Sequence, residues 1–341
     1  MQTFQNYWLS GKSVFAICAG LRRWSAFLVL AILTCSRGAA FAQEYPNRPI
    51  RFVVPSTTGI TSDVLARLLG PKISQRWNVP VIVDNKAGAG GIIGAEAVAK
   101  AEPDGYTFLI ANTSFSTLAA LHSRLPYDPV KSFASVSLLS SSVMTLVANE
   151  KFPAANFLEF VEQIKKQPGV LNYSSPGTGT TQHLAMELIK QRAGIDMLHV
   201  PYKGSAGALS DLVAGHVQAS VVALQTAGPF IESGRLKILA VLGPKRVARF
   251  PNVATLSEAG FGEMVVETWS GVMAPAGTHP SIIAKMNSEI DDLLKLPEMR
   301  DAMLAQGVTP VGGKPERLDQ LVHSELRLWR DVVTRGRIAD R

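Results

Sequence analysis

Beyond residue 35 the sequence has no cysteine. Its two, Cys18 and Cys35, both fall in the first 42 residues. A chain processed after Ala42 therefore has no disulfide, no thiolate nucleophile and no cysteine metal ligand. Histidine is scarce and scattered. His122, His183, His199, His216, His279 and His323 form neither H-x-H nor H-E-x-x-H, which leaves a metal site unsupported. There is no G-x-S-x-G elbow and no phosphate-binding G-x-x-x-x-G-K-[ST] loop, so neither a catalytic residue nor a cofactor is expected. After residue 42 no apolar run approaches the roughly 20 residues of a spanning helix. An excess of one charge is missing too. Residues 1–42 hold four basic side chains and no acidic one, and the remaining 30 Lys and Arg stand against 27 Asp and Glu. A body so nearly balanced lacks the dense basic face that nucleic acid requires.

What is present is a globular composition of 341 residues, 47% apolar and 18% charged, enough for one large or two ordinary cores. Residues 24–35 form a 12-residue apolar run, preceded by Arg22-Arg23 and followed by Ala40-Phe41-Ala42. Charged region, short apolar core and small-x-small site are the order of a secretory signal. Cleavage is expected before Gln43, giving a signal peptide over 1–42 and a periplasmic protein. The competing readings are an uncleaved anchor helix, a twin-arginine signal at Arg22-Arg23 and a lipoprotein site at Cys35. The run is short for the first, the flanks fit the second loosely, and Thr34 is bulky for the third.

From residue 45 onward short β-branched runs alternate with amphipathic helices. Strands are predicted over 50–54, 79–84 and 106–111, with helices over 61–69 and 91–100. The alternation restarts with strands over 144–148, 171–174, 197–201, 217–222 and 236–242 and helices over 156–166, 180–191 and 206–214. A strand over 265–274 and helices over 281–294 and 315–334 follow. Continuous apolar strands between helices predict parallel sheets covered on both faces. The C-terminal part completes the first unit rather than forming a third. Lobe 1 is thus expected over 43–142 plus 248–341 and lobe 2 over 143–247, with crossings near 140–146 and 243–252.

In open α/β sheets ligands sit outside the carboxyl ends of strands. Residues 55–63 (PSTTGITSD) supply hydroxyls, a glycine and a helix N-terminus, which suit an anion or an ordinary cap by Thr61 or Ser62. Residues 174–181 (SSPGTGTT) repeat that chemistry in the second unit. Residues 88–94 (GAGGIIG) fail the dinucleotide spacing, since Ile93 stands where a third glycine belongs; close backbone packing explains them. Tyr202 and Lys203 end a strand of the second unit, either reaching a ligand or packed and solvated. Trp269 is a flank of an inter-lobe cleft or a core residue.

Several stretches, taken in order, resemble the tripartite tricarboxylate transporter substrate-binding proteins, the Bug receptors. They include Asn85-Lys86-Ala87-Gly88-Ala89-Gly90-Gly91, Pro103-Asp104-Gly105-Tyr106-Thr107, Leu125-Pro126-Tyr127-Asp128-Pro129 and His199-Val200-Pro201-Tyr202-Lys203-Gly204. The resemblance runs from Tyr45 to the helix of Trp329. It implies a periplasmic binding protein-like fold (type II), two α/β lobes with two crossover connections and a cleft between them. It implies capture of a small carboxylate for integral-membrane transporter subunits, by a monomer without enzymatic activity. Carried over residue by residue, the ligand-binding positions are Ser56, Thr57, Gly59, Thr61 and Asp63, then Ser174, Gly177, Thr178 and Gly179, with Tyr202 added.

Two positions depart from the family. Thr58-Gly59-Ile60 stands where Pro-Gly-Gly is frequent, and Val222-Ala223 where Asp-Asn is frequent. The second change implies a less polar ligand, with an aromatic monocarboxylate preferred to citrate. The mechanism expected is a clamshell that closes because the ligand touches both lobes only in the closed form. A ligand sensor for a membrane signalling partner uses the same closure, and an exported hydrolase of small esters is the third reading.

Overall fold

The computed structural model describes residues 45–262 and 264–338. The export segment over 1–42, its cleavage site and both cysteines lie outside the described residues.

In chain order the elements are β1 (Ile50–Val54), α1 (Thr61–Trp77), β2 (Val81–Asn85), α2 (Ile92–Ala99), β3 (Thr107–Asn112), α3 (Ser114–Leu121) and β4 (Phe133–Asn149). There follow α4 (Phe157–Lys166), β5 (Asn172–Ser175), α5 (Thr181–Ala193), β6 (Leu198–Pro201), α6 (Ser205–Ala214), β7 (Ala219–Ala223), α7 (Leu224–Glu232) and β8 (Leu236–Val241). The chain ends with β9 (Glu267–Pro275), α8 (Pro280–Lys295), α9 (Pro297–Ala305), β10 (Thr309–Pro310) and α10 (Pro315–Gly336). The predicted strands and helices are present. Helices α3, α7 and α9 and the first half of β4 are additional.

Strand order is β2-β1-β3-β9-β4-β7-β5-β6, with β8 and β10 also on β4. The outer strands are parallel, β1 to β2 and β3, β5 to β6 and β7. The two middle strands are not, which corrects the all-parallel expectation: β9 runs antiparallel to β3 and β4, and β4 antiparallel to β7 and β8. Strand β4 changes partner within its length. Its pairing with β9 ends at Val143, and its pairing with β7 begins at Met144. One strand thus belongs to two half-sheets.

The second crossing comes later than 243–252. Thr255 bridges Val241, Val266 donates its N–H to the Leu242 carbonyl, and Leu256, Met264 and Val266 are buried in the core beneath β4, β5 and β7. The chain therefore leaves this half only at Glu267. Helix α10 also serves both halves. Leu318, Val322 and Leu326 pack with β3 and β9, whereas Trp329 and Val332 pack with the second core. Gln191 on α5 donates to the Val332 carbonyl at 2.9 Å. Shared strands and a shared helix make residues from Arg48 onward one compact unit.

Local chemistry explains the elements. Asn156 caps α4 by accepting the Glu159 N–H at 3.0 Å, and Glu159 accepts in return from the Ala155 N–H and from Asn156 Nδ2. Its buried stripe is Phe157, Phe160, Val161 and Ile164, while Leu158, expected inside, is exposed. Gly271 on β9 has no room for a side chain, since a Cβ would stand 2.8 Å from Leu318.

One acid sits in the buried stripe of α10. Glu325 accepts the Trp269 indole N–H at 2.8 Å. Ser116 and Trp329 turn polar atoms toward it without closing a bond of ordinary geometry. Burial pushes its carboxyl up to about 7, against the lowering effect of these donors. Between about 4.3 and 7 the native chain keeps a proton that the unfolded chain has lost. Stability therefore falls as pH rises through that window. Glu325→Gln is expected to remove the decline and to exceed the native chain by about 2–3 kcal/mol at pH 8. Urea unfolding at pH 5 and pH 8 measures it.

Candidate functional site

The two hydroxyl-rich segments lie where the sequence reading puts them, after the carboxyl ends of β1 and β5. In the first, residues 55–60, Thr57, Thr58, Gly59 and Ile60 are exposed. Gly59 has φ +89°, a conformation that favours glycine. Its N–H donates to Asp63 Oδ2 at 2.9 Å. Asp63 is buried and also accepts from Arg67 Nε at 3.0 Å and Asn85 Nδ2 at 2.9 Å. Asn85 donates to the Ser56 carbonyl as well, at 3.1 Å. Ser56 Oγ lies 3.2 Å from Ser62 Oγ. Burial raises the Asp63 carboxyl, but Arg67, Gly59 and Asn85 together hold it below the usual carboxylate value. This acid therefore braces the segment from beneath. Ile60 occupies the N-cap position of α1 without a side-chain cap, so neither Thr61 nor Ser62 caps the helix.

In the second segment, residues 175–180, Thr180 is the N-cap of α5 and accepts the His183 N–H at 3.4 Å. Its hydroxyl donates to the Gly177 carbonyl at 2.8 Å. Gly177 and Gly179 have φ +152° and +82°. Thr178 is exposed at the tip. Ser174 is not at the tip. It is fully buried, and its hydroxyl donates to the Ala208 carbonyl at 3.2 Å. Tyr202 is half-buried with its hydroxyl 2.5 Å from Asp211. Asp211 pushes the Tyr202 hydroxyl up to about 12, with burial adding to the shift. The Tyr202 N–H donates to the Ser175 carbonyl at 3.0 Å, tying the neighbouring loop to this segment.

Beneath the second segment lies a stack that sequence reasoning missed. His199 stacks on His183 at 3.9 Å and on Tyr173 at 5.0 Å between ring centres. His199 Nε2 is 2.7 Å from Ser175 Oγ, and the Gly179 N–H donates to His183 Nδ1 at 3.1 Å. Tyr173 bonds Glu187 at 2.5 Å, and Lys190 donates to the same carboxylate at 2.9 Å. Burial lowers both imidazoles, His199 to about 4 with His183 adding to the effect. Neutral rings can accept the loop's N–H, which imidazolium cannot. The partners are 10 to 26 residues apart in sequence, so only His183, at the start of a helix, carried a local signal.

Helix α3 packs against residues 88–94 on one side and against Gly179 of the second segment. A Cβ on Gly90 would meet Leu118, and one on Gly179 would meet Leu121 at 2.5 Å. Gly91 and Gly94 press on Pro55, where a Cβ would stand 3.2 Å and 2.7 Å from its backbone. This is the close packing expected of residues 88–94. A small cavity at the foot of the first segment is lined by Pro55, Gly91, Asn112 and Ser114. Two larger cavities, of about 860 and 690 Å³, are lined by neither segment.

A family model described as "Tripartite tricarboxylate transporter family receptor" matches residues 65–337. A Pseudomonas sp. (strain P51) protein, described by its place in the tcbD-tcbE intergenic region, is 37% identical over 94% of this chain and 95% of its own. Protein BugT of Bordetella pertussis is 36% identical over 89% and 95%. Among solved structures, R. palustris Rpa4515 with adipate superposes with a TM-score of 0.71 at 31% identity, covering 87% of this chain and 99% of that one. MatC from Rhodopseudomonas palustris with bound malate gives 0.69 at 31%, covering 85% and 100%. The periplasmic binding protein BugD gives 0.69 at 31%, covering 87% and 100%.

Removing the Asp63 charge leaves Arg67 without its partner and Gly59 without a strong acceptor. Asp63→Asn is expected to cost about 1–3 kcal/mol at pH 7. Because the native carboxyl is depressed, its contribution is present above about pH 4 and lost below it. The native chain and the variant should therefore converge in urea unfolding as pH falls from 5 to 3.

Proposed function

The chain belongs to the tripartite tricarboxylate transporter family of receptors, and on that premise we propose that it captures a small organic carboxylate and delivers it to integral-membrane transporter subunits. It is a binding receptor of a non-enzymatic family with the periplasmic binding-protein fold. No helix among the described residues is long and apolar enough to cross a membrane. The carboxylates named for two relatives, adipate and malate, support the ligand class.

What supports the reading is that two uncharged, glycine-kinked hydroxyl segments follow β1 and β5, one on each half-sheet. Thr57, Gly59 and Thr61 form one jaw, with Ser56 supporting it. Gly177, Thr178 and Gly179 form the other. Asp63 and Ser174 serve from behind, and Tyr202 borders the second jaw. Arg67 is neutralised by Asp63, so the anion is held by N–H and O–H dipoles, as helix N-termini hold anions. The halves that carry the jaws are residues up to 143 with the chain from 267, and residues 144–266. They swing about β4 and the approach to β9. A balance moved from 1:99 to 99:1 requires about 5.5 kcal/mol of differential affinity. Val222 and Ala223 replace polar side chains with apolar ones and favour an aromatic acid.

A thermal-shift screen with malate, adipate, benzoate and citrate tests the reading. At least one monocarboxylate or dicarboxylate should raise the melting temperature, benzoate more than citrate. Thr57→Val and Thr178→Val should each abolish most of that shift while melting normally without ligand. A chain unmoved by every acid, or variants that bind like the native chain, would remove these jaws from the function.

A further inference from the structure

A second cavity of about 690 Å³ lies away from the jaws, where α5, β9 and α10 meet. That size is within the range of small-molecule pockets. Its floor is apolar, built from Leu138, Leu188, Trp269 and Leu328. Its rim carries Arg192 from α5 and Arg317 and Arg327 from α10. These three guanidiniums are exposed, and none forms an ion pair with a described residue. Unlike them, Arg67, Arg76, Arg246 and Arg335 all have carboxylate partners within 3.2 Å.

We propose that this groove is a second binding site, for a carboxylate with an apolar tail, its head held at the Arg192 and Arg327 end of the rim, with Arg317 adding positive charge at the other end, and its tail laid along Leu188, Leu328 and the edge of Trp269. The groove's two acids do not compete for the guanidiniums. Glu325 is turned inward to the Trp269 indole, and Glu267 faces Ser141 with Arg317 at longer range. Burial raises both carboxyls. A guanidinium presents a planar fork that matches a carboxylate, and an apolar floor rewards a hydrocarbon tail by about 0.8 kcal/mol per buried CH₂. A tail-less anion lacks that second contribution, and a tail-less cation meets three like charges. Helix α5 belongs to one half-sheet and β9 to the other. An occupant therefore touches both and biases any motion between them, a consequence that rests on the clamshell reading, whereas the site itself does not.

Octanoate is the probe. It is titrated into the purified chain, with binding followed by calorimetry and by the indole N–H signal of Trp269, identified through Trp269→Phe. A saturable shift of that signal is expected, with octanol at least tenfold weaker. The combined Arg192→Gln, Arg317→Gln and Arg327→Gln substitution should weaken octanoate at least tenfold. Its melting temperature should be unchanged, since these side chains are exposed and unpaired. A Trp269 signal that stays still, or a triple variant that binds as the native chain does, would overturn the site. Octanoate binding that leaves Trp269 unmoved but is lost in Thr178→Val would assign the acid to the jaws alone, refuting the groove and sparing the proposed function.

Discussion

A single strand held in common is the constraint on which the molecule depends. Strand β4 gives its first part to β9 and its second to β7 and β8. Neither half-sheet can complete its ladder without it, because buried N–H and C=O groups must be paired. On the proposed clamshell reading, the sharing also decides where the halves can bend. Pairing changes hands between Val143 and Met144, and the ladder already shifts register near Ser135 and Leu138. Bulges of this kind kink a strand and increase its twist. Two buried hydroxyls in that stretch, Ser137 and Ser140, have no hydrogen-bond partner. The cost of such atoms is tolerated where small side chains let β9 and α10 approach closely.

Helix α10 sets a limit on that bending. Its first turns pack with one core and its last with the other. A hinge crossed by strands alone would be soft in many directions. A helix laid over both halves, anchored by Trp329 at one end and Leu318 at the other, permits fewer. The same arrangement explains why Gly271 has no side chain: β9 must pass directly under Leu318.

The alternation of strands and helices was legible because each carried its own period, as in β1, β3, α4 and α8. What escaped had a physical reason. Helix α3 (SFSTLAAL) is eight residues long and opens with hydroxyls, so it reads as a loop. The first half of β4 (FASVSLLSS) has serines on both faces, and burial on both faces erases the alternation that marks a strand. Helix α7 contains Gly228 and Pro229, which argue against a helix. At the site, Thr57 and Thr178 were readable as exposed tips after strands. The supports were not. Asn85 reaches Asp63 across 22 residues, and the stack of Tyr173, His183 and His199 joins β5, α5 and β6. Ser174 and Asp63 matched the family's pattern, yet their polar atoms are committed inside the protein.

Those commitments bear on how the proposed jaws would hold an anion. Each segment is fixed by ionisable groups kept out of its reach: Asp63 with Arg67 under the first, and Glu187 with Lys190 at the base of the stack under the second. Each pair cancels its own charge. What faces outward is a set of oriented dipoles on a rigid base, which need no reorganisation when an anion arrives. A fixed cation in the same place would attract every anion at long range and release each one slowly. Dipoles act only at contact distance, so selectivity passes to the shape and polarity of the walls. In the proposed receptor, the charge pairs beneath would supply rigidity, while the uncharged tips would keep the grip short-ranged.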